Sequence, residues 1–242
     1  MLTLHRFPLS HFSEKGRALL DFKGLDYRIA EHQLGFSQLG VWKLSGQRKV
    51  PVLDHDGTIV SDSTEIALYL EKTFPDTRPL LPADTQQRRE VLELEERTDK
   101  VLGQGAPVVW FASLGDRAEV ARLVDAEVYG VGRLGAKPIA ALLGAGLGLG
   151  PVKDVVARAA KATRRMLEDF SSRLGKQRYL VGDAPTLADV AAVGLVFHLK
   201  FPASDHLALP DLAGRGVEGW VDDDKLARFF AWRERFYDDF LR

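Results

Sequence analysis

Two serines near the start of the chain, Ser10 and Ser13, stand where an extended run gives way to a helical pattern, and either hydroxyl can cap that helix. A thiol ligand held at this helix start would meet a hydroxyl able to donate to its thiolate and lower its pKa. Moving a thiol down two units from about 8.5 takes about 2.7 kcal/mol. One charge-assisted hydrogen bond contributes about 1.5 to 3 kcal/mol, and the helix dipole adds to it. Neither serine sits in a Gly-x-Ser-x-Gly elbow, so a serine hydrolase has no support. Further on, Asp62-Ser63-Thr64-Glu65 reads as a capping box in which Asp62 or Ser63 caps and Glu65 reaches back. The free N–H groups of the same helix end can equally take a ligand carboxylate. Pro51 follows Val50 at a strand start, where the local sequence by itself favours an ordinary trans bond, since only about 5 to 6% of X-Pro bonds are cis.

Composition removes several alternatives. There is no cysteine, which rules out disulfides, thiolate metal sites, Cys nucleophiles and CxxC redox chemistry. The 33 basic and 34 acidic residues leave a net charge of −1, with no field to draw a phosphate backbone or an anionic lipid surface, so neither nucleic acid nor a membrane is an expected partner. With 45% hydrophobic and 28% charged residues the chain is expected to be globular, and its 242 residues suffice for two small domains. MLTLHRF lacks the basic and apolar regions of a secretory signal, so the expected location is cytoplasmic.

The elements that must position these residues follow from pattern and punctuation. A strand begins at Leu2, and Pro8 breaks it. A helix spans Ser13 to Lys23 with Gly24 as its stop, and Asp26 to Ala30 forms a second strand. Gly35 to Gly46 reads as a loop with one irregular turn. Val50 to Leu53 and Ile59-Val60 form a hairpin around Asp56-Gly57. A helix with Ile66, Ala67, Leu70 and Phe74 on one stripe closes a β-α-β-loop-β-β-α unit. Three prolines between Phe74 and Pro82 mark the boundary. Beyond it the chain reads as helices over Thr85–Gln104, Arg117–Val131, Val152–Leu174, Thr186–Leu199 and Lys225–Leu241. The expected domains are residues 1–74 and 85–242, joined by a linker at 75–84.

Other motifs in the second half carry little chemistry. Gly144 to Gly150 misses the dinucleotide-binding spacing and reads as a helix connection. Asp222-Asp223-Asp224 reads as a solvated turn without companion ligands, so no metal is expected. Trp110, Phe111 and Tyr129 can line a cleft, although aromatic residues on helices more often fill a core. Thr186, with Asp189 three residues on, signals the start of a helix that has almost no polar face.

Taken in order, Ser10 and Phe12, Lys49-Val50-Pro51-Val52-Leu53, Asp56-Gly57, Asp62-Ser63 with Ile66, and Tyr179 to Asp183 leading into Pro185-Thr186-Leu187-Ala188-Asp189 resemble glutathione transferases. The serine-type classes, tau, zeta and many bacterial members, are the nearest in flavour. The resemblance implies a fold of α/β plus all-α type, with a thioredoxin-like N-terminal domain and an all-helical C-terminal domain. It implies glutathione as co-substrate, a hydrophobic electrophilic small molecule as the other partner, and a homodimer with a role in detoxification. Ser10 would be the catalytic hydroxyl, with Ser13 as its rival. Val50 would pair its backbone with the cysteinyl part of glutathione ahead of a cis Pro51, Asp62 and Ser63 would hold the γ-glutamyl end, and Lys49 would lie near the glycyl carboxylate. The family often has Glu or Gln where Asp62 stands, and proline is frequent where His11 follows Ser10. Isomerisation, dehalogenation and ether cleavage share the same activated thiolate, and a non-enzymatic binding or assembly protein of this fold is the alternative.

Overall fold

The computed structural model describes residues 1–32, 38–113, 150–203 and 212–241. Strand β1 (Leu2–Arg6) alternates buried and half-buried residues, so Leu2, Leu4 and Arg6 face inward. Helix α1 (His11–Lys23) starts two residues earlier than its apolar spacing predicts, because Ser10 is its N-cap and accepts from Ser13 N at 3.1 Å. It ends at Gly24, whose left-handed φ of 69° is the conformation expected of the stop glycine. Strand β2 (Tyr27–Glu31) then runs parallel to β1.

Residues 38–45, expected in a loop, instead form helix α2 (Gln38–Ser45), held by the fully buried Val41. Its single inward apolar residue is too little periodicity to read from sequence. Strand β3 (Val52–His55) pairs antiparallel with β1 and with β4 (Thr58–Ser61), giving the sheet order β2-β1-β3-β4. The turn between β3 and β4 holds both Asp56 and Gly57 at positive φ, as the Asp-Gly hairpin signal predicts. The ladder starts two residues later than expected: the Val50-Pro51 bond is cis, and Val50 lies outside the pairing. Helix α3 (Ser63–Thr73) packs back on this sheet. A thioredoxin-like sheet with helices is therefore present, as expected.

The rest of the described chain is mostly helical: α4 (Thr85–Ser113), α5 (Gly150–Arg173), α6 (Leu187–Leu195) and α7 (Asp224–Phe240). The helix expected over Arg117–Val131, the connection at 144–149 and Tyr129 lie outside the described residues. Helix α4 was expected to stop near Gln104, where Gly103, Gly105 and Pro107 weaken it. It continues to Ser113 because the gap is filled from outside. Pro107 has no N–H to give the Gly103 carbonyl four residues back, and His11 Nε2 lies 2.7 Å from that oxygen instead. Burial pushes the His11 pKa down to about 4, so the ring is neutral and donates its Nε2–H. Phe12 occupies the space a side chain at Gly103 would take, with a ring carbon 2.7 Å from the site of a Cβ.

Helix α6 is buried along its whole length between α1 and α4, as its lack of a polar face predicts. Gly194 lets it approach α1 so closely that a Cβ would lie 2.8 Å from Lys15 Cα. Asp189 organises its start by accepting from Leu180 N (2.8 Å), Thr186 N (2.8 Å) and Thr186 Oγ1 (2.9 Å). Thr186 thus spends its hydroxyl on the carboxylate. Burial outweighs these donors and pushes the Asp189 carboxyl up to about 6. A raised carboxyl pKa means that the folded state binds more protons, so this group's contribution to stability is complete below about pH 4 and is lost as pH rises through about 6. The stability gap between the native chain and Asp189→Asn is therefore expected to be widest near pH 4 and to shrink by about 2 to 3 kcal/mol by pH 7. Urea unfolding of both proteins across this range checks it, and a gap that widens with pH would contradict the assignment.

Candidate functional site

Helix α1 packs against the two segments that carry the other predicted site residues. Gly16, one turn and a half beyond Ser10, lies against the ring of Pro51, with 3.1 Å between a Cβ placed there and Pro51 Cβ. On the adjacent face of α1, Lys15 Nζ reaches Thr64 Oγ1, the second residue of α3, at 3.3 Å. Helix α1 therefore touches both the cis Val50-Pro51 bond and the start of α3.

The two serines differ in what they leave available. Ser13 is 1% exposed and its Oγ accepts from Phe7 N at 3.3 Å, so it belongs to the turn that closes β1. Ser10 is half-buried; its Oγ accepts from Ser13 N, which leaves its own hydrogen to donate elsewhere. The first turn of α1 stands behind it with its positive end.

Asp62 caps α3 by accepting from Thr64 N at 2.8 Å and from Glu65 N at 3.4 Å. It does so at φ 79° and ψ 136°, a backbone conformation costing a non-glycine residue about 1 to 3 kcal/mol and concentrated at functional sites. Ser63, the first residue of α3, is 1% exposed and its buried Oγ has no partner among the described residues. Val50 is half-buried outside the sheet ladder, and Lys49 beside it is exposed. Together these supply a backbone edge, an uncommitted hydroxyl at a helix N-terminus and a cation, which suit an extended peptide-like anion.

Charges buried beneath the start of α3 were missed by sequence reasoning. Lys15, wholly buried, reaches Glu95 at 2.5 Å and Asp99 at 2.7 Å on α4, while Thr64 Oγ1 donates to Glu95 at 2.6 Å. Residues some 80 positions apart come together here, and no local pattern announces them. On the other side of His11 the C-terminal end of α4 opens a cavity of about 470 Å³, lined by Trp110, Ser113, His198, Phe201, Leu212 and residues 215–219. The His11 ring lies 5.1 Å from that of His198, and His198 lies 4.8 Å from Trp110, so the cavity wall reaches the residue next to Ser10. Trp110, which could have been core alone, is 5% exposed and lines this space; Phe111 is half-buried beside it. Asp223 caps α7 and pairs with Arg164, and Asp222 accepts from Gly219 N. Among the described residues no helix is long and apolar enough to cross a membrane, and no group of three or more acidic or His side chains is arranged to hold a metal.

Residues 4–78 match the family model for the glutathione S-transferase N-terminal domain, and residues 153–235 match that for the glutathione S-transferase C-terminal domain. Glutathione S-transferase U22 of Arabidopsis thaliana is 29% identical over 114 residues, 47% of this chain and 52% of that one. The match thus spans about half the length of that plant relative. Protein LigF of Sphingobium sp. (strain NBRC 103272 / SYK-6) is 26% identical over 239 residues, 97% of this chain and 88% of its own. Its crystal structure, described as that of beta-etherase LigF, superimposes with a TM-score of 0.70 at 24% identity, covering 98% of this chain and 94% of the other.

Proposed function

The chain belongs to the glutathione S-transferase family, and from that premise we propose that it activates glutathione for attack on an electrophilic small molecule. The observation that carries this reading is the buried Ser63 hydroxyl, without a partner among the described residues, at the start of α3. It suits the γ-glutamyl carboxylate, with Asp62 holding the backbone that presents it. The Val50 backbone would take the cysteinyl unit, as an added strand pairs with a sheet edge, and Lys49 the glycyl carboxylate. Residues 1–74 would thus bind glutathione, and residues 85–242 would supply the wall of Trp110, His198 and Phe201 for the electrophile.

In this scheme the Ser10 hydroxyl donates to the cysteinyl sulfur and favours its thiolate. The thiolate attacks an electrophilic carbon, a C–S bond forms, and the leaving group departs with the bonding electrons. The near full-length match to LigF favours one form of this step, ether cleavage. There the C–O bond breaks as the C–S bond forms, and the oxygen leaves as an alkoxide or aryloxide that then takes a proton. Calorimetry with reduced glutathione, combined with a thiolate absorbance titration of the complex, tests the proposal. Saturable binding with a thiol pKa below that of free glutathione is the expected result; no binding at millimolar glutathione would abandon it in favour of a scaffold that does not use the site. Ser63→Ala is expected to weaken glutathione binding roughly 10-fold without changing the bound thiol's pKa, because it removes one hydrogen bond to a charged group far from the sulfur.

A further inference from the structure

Among the described residues of the cavity wall His198 is the most enclosed polar one, 3% exposed and ringed by Trp110, His11, Phe197 and Phe201, with centroids 4.8 to 6.3 Å away. Its ring bonds the backbone of Leu9, while Nδ1 is buried with no partner among the described residues. Donation to a carbonyl places the ring hydrogen on Nε2, which leaves a lone pair on Nδ1. Burial first, and the neighbouring His11 second, hold the imidazole well below its usual pKa, so this tautomer persists through the neutral range. Buried polar atoms nearly always have a partner, and His198 is one of the residues that line the cavity.

The remaining walls narrow the ligand. Trp110, Phe201, Leu212 and Val217 are apolar and buried. Ser113 is already committed, donating to Trp110 O at 2.7 Å. Among the described lining residues the charged ones are Arg215 and Glu218, exposed and opposite in sign, which favours neither a cation nor an anion on this side of the cavity. A space of about 470 Å³ suits a ligand of one or two rings.

Resting on the reading of this cavity as the acceptor pocket, we propose that His198 selects the acceptor: Nδ1 accepts a hydrogen bond from a hydroxyl on the buried end of a neutral aromatic molecule. The methyl ether of the same molecule, which cannot donate, is the disfavoured counterpart.

The test uses the full chain and two probes, 4-phenylphenol and 4-methoxybiphenyl, titrated by calorimetry without glutathione. The phenol is expected to bind about 5- to 10-fold more tightly. His198→Phe should abolish the preference, and His198→Gln, which keeps an acceptor oxygen, should retain part of it. Equal binding of the two probes by the native chain, or a preference that survives His198→Phe, overturns the proposal. Glutathione turnover is then measured with a hydroxyl-bearing aryl electrophile and its O-methyl counterpart. Phenol preference without turnover sinks the transferase reading and leaves the His198 site standing; turnover without preference sinks the His198 proposal alone.

Discussion

Replacing Ser10 with alanine is expected to lower kcat/KM for glutathione conjugation roughly 100-fold near neutral pH, the upper end of what one charge-assisted hydrogen bond contributes. The bound thiol pKa should return toward the value of free glutathione, and the rate should recover as pH rises past it, because hydroxide then makes the thiolate that Ser10 no longer favours. Glutathione affinity should change by less than about threefold, since the Val50, Asp62 and Ser63 contacts proposed for the tripeptide remain. Helix α1 should survive with a loss of about 1 kcal/mol, as only a cap to Ser13 N is removed. Ser13→Ala separates the rivals: it removes the acceptor of Phe7 N and should cost stability while leaving the thiol pKa alone. A native-like thiol pKa in Ser10→Ala, or a lost shift in Ser13→Ala, would reverse the assignment.

Lys15→Met is expected to have the largest effect on stability, about 3 to 5 kcal/mol, because it leaves Glu95 and Asp99 side by side without their cation. The Asp99 carboxyl is already raised by burial even with Lys15 beside it. In the folded state it therefore holds its proton to higher pH than in the unfolded chain, and its contribution declines as pH rises through that window. Without Lys15 the carboxyl rises further, so the deficit should be greatest at neutral pH and should narrow on acidification. Urea unfolding at neutral and mildly acidic pH measures both. The double variant Lys15→Met/Glu95→Leu should recover much of the loss, since a buried charge removed with its partner costs less than one left alone. A single variant within about 1 kcal/mol of the native chain would show the cluster to be far wetter than its burial indicates.

What could be read before the structure was whatever a few neighbouring residues decide. Gly24 ends α1, Asp56-Gly57 turns the hairpin and Asp189 anchors α6, because each acts within three or four positions of itself. The cis bond at Pro51 was foreseeable only through the family resemblance, since the dipeptide alone favours trans. Helix α2 was missed because one inward valine makes no periodicity, and the true end of α4 because its proline and glycines are stop signals in every local sense. Lys15 with Glu95, His11 with Gly103, and His198 with Leu9 join residues roughly 80 to 190 positions apart, beyond the reach of any spacing rule. The candidate site divides the same way: Ser10, Val50, Asp62 and Ser63 belong to short motifs, whereas the cavity wall exists only after the helices have packed.

Pro107 and His11 bear on how such a chain can change. The carbonyl of Gly103 is free because of one residue and satisfied by the other, so neither position drifts alone without loss. Replacing the proline first would give the oxygen a second suitor and make the imidazole redundant; replacing the histidine first would strand the oxygen inside the protein. The order of substitution therefore matters, and among descendants of this chain the two positions should be inherited or abandoned as a pair.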